Sequence, residues 1–453
     1  MKRCFYISLV TLVLILFLCV SCSTNTSSQP STSLASPGVA STSPTGQTVQ
    51  TTSPVTAVSA EPESPTSPVS PQEKILKIGV VTYYGDPAGL DMVHGLNLMA
   101  EIDNKAGGWD IGGQKYRIQL VTYDSNANQN TETAAINRLV SEDRVNCIIS
   151  FGLFAPTWLP ITDNARVLVG DFGPDHTSNL APTVKYSFNP TFQNVGGIVF
   201  EGWFLKNYPD LTKNIVTALP DDQMGHVVDK MIGSAWEAFG VKTTSLFYPA
   251  NTQDLSSLGT KVSSMNPSAF EAIGGGGVRD PLVFKAVYQA GYRGQLIYPM
   301  TASLTTFSSV MPAEMLEGFI SGTSATEFDP ALTTTAQEFK EAWIAEYDKW
   351  ENPDVMGTCN YTCFKAAYQQ AGSLDADKVA AVIFDGLKFD SAIGAGQMIS
   401  RPDLGNERTV DSAGVTYIKQ IKGGAISLIA TVDIDEALGY FYQAVPTAQS
   451  SVN

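Results

Sequence analysis

Basic charge and cysteine are both scarce in this chain. Its 453 residues carry 28 Lys and Arg against 44 Asp and Glu, for a net charge of −16. No basic run follows Lys2-Arg3. A nucleic acid is therefore excluded as the main partner, because its phosphate backbone repels a net anion. Six cysteines in a chain of this length make no disulfide scaffold. Catalytic patterns are equally thin. The three histidines, His94, His176 and His226, show no HExxH spacing, and there is no G-x-S-x-G elbow, no Gly-Lys-Ser/Thr phosphate loop and no CxxC beyond Cys19-Val20-Ser21-Cys22 at the end of the N-terminal apolar run. These absences leave no nucleophile–base pair to read. The reading is of a protein that is not an enzyme and needs no cofactor or metal.

Long apolar runs are limited to Phe5–Val20, 16 residues interrupted by Ser8 and Thr11. That is short for a membrane span of ~20 residues and suits the apolar region of an export signal, with Lys2 and Arg3 as its positive start. Ser21-Cys22 at its end resembles a bacterial lipobox, with Cys19 where that pattern usually has Leu. The resemblance implies a signal peptide over 1–22 and a diacylglycerol on Cys22. Plain secretion and an uncleaved anchor are the alternatives.

Residues 23–73 read as a tether. Ser, Thr and Pro fill 31 of these 51 positions, with no Lys, Arg or aromatic residue. Such a segment buries too little apolar surface to offset chain entropy. As a coil it would reach ~40 Å, and in extended polyproline form ~160 Å.

The remaining 380 residues suggest two lobes rather than one core. Strands alternate with helices. Ile75–Val81 reads as a buried strand. Leu90, Val93, Leu96, Met99 and Ile102 recur every third residue along a helix that Gly107-Gly108 can end. Strands are expected at Tyr116–Tyr123, Cys147–Phe151 and Arg166–Val169, with a helix over Thr131–Glu142. The rhythm repeats with strands at Ile215–Leu219, Thr244–Tyr248, Phe270–Ile273 and Gln295–Pro299. Between them lie a helix capped by Asp221 or Asp222 and stopped by Gly240, and another over Leu282–Ala290. Three late helices follow, then antiparallel strands from Thr409 to Ile434 around Gly423-Gly424. Two such series predict an α/β protein with two doubly wound, parallel-sheet lobes. Ligands of such lobes bind outside the carboxyl ends of the strands.

Residues 76–124, opening LKIGVVTYYGDPAGLD, place Asp103-Asn104, Gly107-Gly108, Gly112 and Asp124 in an ordered pattern. AAINRLVSEDRVNCIISFG (134–152), QEFKEAWIAEYDKWENPD (337–354) and YTCFKAAYQQAG (361–372) extend it. The series resembles type I periplasmic binding proteins. Within them it is most similar to the leucine/isoleucine/valine-binding branch of ABC-transporter substrate-binding lipoproteins. The resemblance implies two lobes joined by a three-segment hinge. Lobe 1 would span 74–190 plus 325–395, and lobe 2 would span 191–324 plus 396–445. It also implies a small-molecule ligand, closure of the lobes around it, ABC permease subunits as partners, and an extracytoplasmic place on the cell membrane. A ligand-sensing lipoprotein without transport is the first alternative, and a surface enzyme the second.

The pocket loops depart from that family. Where amino-acid binders carry hydroxyl donors for the ligand carboxylate, this chain has Gly152-Leu153-Phe154-Ala155-Pro156-Thr157, leaving Thr157 as the nearest donor. The next loop reads Gly170-Asp171-Phe172-Gly173, with an acid that would repel a carboxylate. Asp221-Asp222-Gln223-Met224-Gly225 puts Met224 where a pocket Tyr is usual. No acid stands near Met300-Thr301 to receive an ammonium. Tyr83, Tyr84, Phe154, Phe172 and Met224 are the expected apolar walls, with Phe154 and Phe172 alternatively core beneath the cleft. Asp171 would face a cationic or donor group, or serve as a turn residue. Gly276, in the run Gly274–Gly277, would bring backbone close to a ligand. Arg279 beyond it reads as an anion partner or a rim charge. Free leucine, isoleucine and valine are not expected as preferred ligands.

Overall fold

A computed structural model describes residues 74–152, 154–171, 179–322, 333–350, 353 and 355–445. The signal, lipidation and tether readings, Cys22 included, lie outside the described residues, as do Phe172 and Gly173.

The first sheet begins with β1 (Lys74–Thr82), nine residues whose inner seven are nearly all buried. A strand covered on both faces has to be apolar throughout, and Leu76, Ile78, Val80 and Val81 meet that need. Next come β2 (Trp109–Ile111), β3 (Gln114–Asp124), β4 (Cys147–Ser150), β5 (Leu168–Asp171) and β6 (Ser187–Phe188). Their order is β2-β3-β1-β4-β5-β6, parallel except for the β2–β3 hairpin.

The chain then builds β7 (Ile215–Pro220), β8 (Thr243–Tyr248), β9 (Ala269–Ala272), β10 (Gln295–Tyr298) and β11 (Ile320–Ser321). After three more helices come β12 (Lys388–Ser391), β13 (Gly394–Arg401), β14 (Asn406–Gly414), β15 (Thr416–Lys422) and β16 (Ala425–Val432). The second sheet runs β16-β15-β11-β10-β9-β7-β8, and its five strands from β7 to β11 are parallel. Strands β12, β13 and β14 form a small antiparallel sheet of their own. The result is the two-lobed, mainly parallel α/β fold that the alternation predicts.

Just after β6 of the first sheet, Asn189 bridges to Asp411 on β14 of the small sheet. Its N–H donates to the Val410 carbonyl at 2.8 Å, and its Nδ2 donates to Asp411 Oδ1 at 2.9 Å. Ser412 Oγ donates to the Asn189 carbonyl at 2.8 Å and accepts from the Phe192 N–H at 3.1 Å. Arg401 Nη1 holds the other Asp411 oxygen. Phe192 turns the chain with φ of +62° into the helix Gln193–Asn207. Its ring fits only because two neighbours lack a side chain. A Cβ on Gly414 would lie 2.4 Å from Phe192 Cδ2, and one on Gly396 would lie 2.2 Å from Cε1.

The core of the second lobe holds an unusual pair of acids. Glu201, on the helix Gln193–Asn207, and Glu271, on β9, are both fully buried. No described group makes a well-formed hydrogen bond to their four carboxyl oxygens, although the Trp236 indole N–H and the Thr217 hydroxyl lie close enough to Glu271 to favour its charged form. Burial pushes the Glu271 carboxyl up to about 8. Burial first, and the Glu271 charge second, hold Glu201 well above the carboxylate range.

Several local readings shift. The first helix, Pro87–Lys105, buries Met92, Leu96, Met99 and Asp103, while Leu90 is exposed. A strict period of three slips about 60° per step against the 3.6-residue turn, so the stripe from Leu90 to Ile102 leaves the core at both ends. The strand expected from Arg166 starts at Leu168, because Arg166 takes a left-handed φ of +54° closing the preceding helix. The helix over Thr131–Glu142 is α-helical only from Gln129 to Arg138 and ends in a wider turn over Leu139–Asp143. His94, on the same helix, is half-buried and stacks on Tyr347 at 5.0 Å. Cys147, Cys359 and Cys363 are fully buried and in no disulfide.

Candidate functional site

Four strand ends converge on one cavity. After β1, Asp86 caps the helix Pro87–Lys105: its Oδ1 accepts the Ala88 N–H at 2.9 Å, and Pro87 sits at the first helical position, where no donor is needed. After β7, Asp222 caps Gln223–Ala238 by accepting the Gly225 N–H at 2.9 Å. After β9 come Gly274, Gly276 and Gly277, with φ of +89°, +65° and +43°. After β10, Met300 and Thr301 lead to Ser303, which caps Leu304–Val310.

The cavity holds about 170 Å³ and is lined from both lobes. For scale, a cavity of about 150 Å³ accepts a benzene-sized molecule. Phe151, Met224, Met231, Tyr298, Met300 and Phe307 are among its apolar walls, and Asp86, Asp91 and Asp280 bring carboxyl groups to it. No Lys, Arg or His is among its described lining residues. The lobes come close at Asp86: a Cβ on Gly277 would stand 3.3 Å from Asp86 Oδ2, and one on Gly276 would stand 3.6 Å from it. Glycine is needed here for its positive φ and for this approach.

The acids differ in their partners. Asp280 is buried and shapes the glycine loop: Oδ1 accepts the Gly275 N–H at 2.9 Å and Oδ2 accepts the Tyr298 hydroxyl at 3.2 Å. Burial raises its carboxyl to about 7 despite these bonds. Burial also raises Asp86, opposed by the Ala88 N–H. No described residue donates to Asp86 Oδ2.

Of the residues expected at the site, Met224 and Gly276 line the cavity, as do Met300 and Thr301. The others are placed as follows. Tyr83 is half-buried, with its ring over Gly85. Tyr84 is exposed, and its N–H donates to Asp124 Oδ1 at 3.3 Å. The Phe154 N–H donates to Glu132 Oε1 at 3.2 Å. Ala155 is buried at the start of the helix Ala155–Ala165. Thr157 is exposed, and its hydroxyl donates to the Phe154 carbonyl at 2.8 Å. Asp171 is buried and ties two loops together, accepting from the Gly152 N–H at 3.0 Å and Asn179 Nδ2 at 2.5 Å. Arg279 turns its guanidinium over the Tyr248 ring at 5.1 Å and is not part of the lining. Sequence reasoning missed Asp86 and Asp280. The available signal was an acid at a helix start after a strand: Asp86 caps Pro87–Lys105, and Asp280 is the second residue of the helix Arg279–Gln289.

Two α/β lobes whose strand ends face each other across a shared cavity define a two-lobed ligand-binding protein of the type I periplasmic-binding class. The chain matches the periplasmic binding protein family over residues 76–424 and belongs to that family. Solved structures share the fold. A leucine-binding protein of Thermotoga maritima is 19% identical, with a TM-score of 0.64, over 80% of this chain and 100% of its own. An ABC-transporter solute-binding protein of Rhodopseudomonas palustris in complex with benzoate is 16% identical, with a TM-score of 0.62, over 80% of this chain and 97% of its own. The branched-chain amino acid transporter substrate-binding protein of Streptococcus pneumoniae, in complex with isoleucine, is 16% identical, with a TM-score of 0.61, over 80% and 99%.

Proposed function

We propose that this protein is a membrane-tethered, extracytoplasmic solute-binding protein that captures a small organic molecule between its lobes and delivers it to an ABC importer. The observation that carries this reading is the cavity at the strand ends, lined by Asp86 and Phe151 from one lobe and by Met224, Gly276 and Phe307 from the other. A ligand touching both faces stabilises the closed arrangement over the open one, which is how a hinged protein signals occupancy to a permease. The lobes are 74–190 plus 325–395 and 191–324 plus 396–445, with the Asn189–Asp411 bridge at one crossing. Met224 and Gly276 are the ligand-facing residues retained from the sequence reading. Residues 1–22 act as a signal peptide, Cys22 carries the lipid, and 23–73 span the distance to the lobes. Among the described residues no helix is long and apolar enough to cross a membrane. The test is native mass spectrometry of the purified full-length chain. A small molecule should be retained at one per chain, and a Met224→Trp variant should lose it. Product formed at catalytic rates from that molecule would refute the reading.

A further inference from the structure

Resting on the solute-binding reading, we infer that the cavity selects a small organic cation, an ammonium group on an apolar or aromatic body, and discriminates against carboxylates and zwitterions. The cavity presents Asp86, Asp91 and Asp280 and no basic side chain among its described lining residues. A carboxylate entering it would meet like charge without a counter-ion, and burying an unpaired charge is strongly unfavourable. An ammonium has a receiver. Asp86 Oδ1 is occupied by the Ala88 N–H, but Oδ2 is unengaged by any described residue and points at Gly276 and Gly277. That places an acceptor of the first lobe beside bare backbone of the second, so a cation held by Asp86 sits next to both lobes.

The apolar walls support the same choice. Phe151, Tyr298 and Phe307 contribute aromatic rings, whose faces attract cations. Met224, Met231 and Met300 are unbranched and polarisable, so they fit a range of aliphatic or aromatic bodies around one fixed charge. The volume of about 170 Å³ limits that body to roughly one ring or a short branched chain. Asp280 holds the loop, and both its oxygens already accept bonds from Gly275 and Tyr298. Asp86 is therefore the residue assigned to the cation.

Matched probes decide the matter on the full-length protein. Benzylamine, benzyl alcohol and benzoate share one body, and isoamylamine, isoamyl alcohol, isovalerate and leucine share another. Calorimetry and thermal shift should show the amines binding and the acids and leucine failing to bind. Asp86→Asn keeps a good helix cap, so the fold survives. It should weaken the amines about 10- to 100-fold, the range for losing a charge-assisted bond, while weakening the neutral alcohols several-fold less. Binding of benzoate or leucine as tight as that of the amines overturns the inference and leaves the solute-binding reading intact. Equal weakening of amines and alcohols by Asp86→Asn overturns it too, as does failure of every amine to bind. The solute-binding reading is tested separately by whether any molecule is retained in native mass spectrometry.

Discussion

Replacing Glu271 by glutamine should flatten the dependence of stability on pH. Glu271 sits on the interior strand β9, fully buried, and the nearby Trp236 and Thr217 donors only partly offset that burial. Its carboxyl is raised from 4.5 to about 8 by burial. A carboxyl with a raised native value binds its proton more tightly folded than unfolded. Its contribution is complete below about 4.5 and is lost as pH rises towards about 8, because the unfolded chain releases the proton first. At about 1.4 kcal/mol per unit, the loss is about 5 kcal/mol across the window and about 3 kcal/mol by neutral pH. Glu201 adds a loss of the same sign, since burial and then the Glu271 charge raise it as well. Glutamine has no proton to release. Its amide needs buried acceptors at a cost of about 1–3 kcal/mol, which moves the intercept, so the slope is the quantity to read. Urea unfolding between about pH 5 and about pH 8 should give a slope shallower by about 1.4 kcal/mol per unit in Glu271→Gln than in the parent. Identical slopes would show that the parent Glu271 ionises near its ordinary value, and the burial argument would fail.

Gly414→Ala should destabilise the protein by about 1–3 kcal/mol, as overpacking does, because the new methyl would meet the Phe192 ring where a Cβ stands 2.4 Å away; a melting temperature within error of the parent would refute the fit described at this crossing. Met224→Trp should fill part of the cavity and abolish ligand-induced stabilisation while the unliganded melting temperature shifts little, both read by thermal denaturation. Cys22→Ala, expressed in a bacterium, should abolish lipid attachment and leave the protein out of the detergent phase on partitioning. Undiminished partitioning of this variant would assign the anchor to Phe5–Val20 instead.

Much of the architecture was legible because its cause is local. Strands buried on both faces must be apolar, so Ile75–Val81 and Ile215–Leu219 announce themselves. Helices need caps and stops, so Asp222, Gly240 and Gly291 mark boundaries. Gly423-Gly424, with φ of +60° and +78°, makes the tight hairpin between β15 and β16. The small sheet β12–β14 was only partly legible, because its pairing competes with the helices around it and its residues alternate weakly. The loops that reach the cavity were legible in part: Met224, Gly276 and Met300-Thr301 follow strands and arrive there.

What the sequence determined by itself is the order of elements, the acidic balance, the two-lobed class and the absence of recognised catalytic spacings, because each rests on composition or on neighbours within a few residues. Only the tertiary structure decided which acids face the cavity. Asp171 and Asp86 look alike in sequence, each at or just beyond the carboxyl end of a strand of the first sheet. Asp171 is enclosed by Gly152 and Asn179, whereas Asp86 keeps one oxygen towards a glycine loop about 190 residues further along the chain. A side chain's partner depends on the direction in which the folded backbone points it. Across two lobes that direction is set by sheet twist and by crossings such as Asn189–Asp411, which no local pattern encodes.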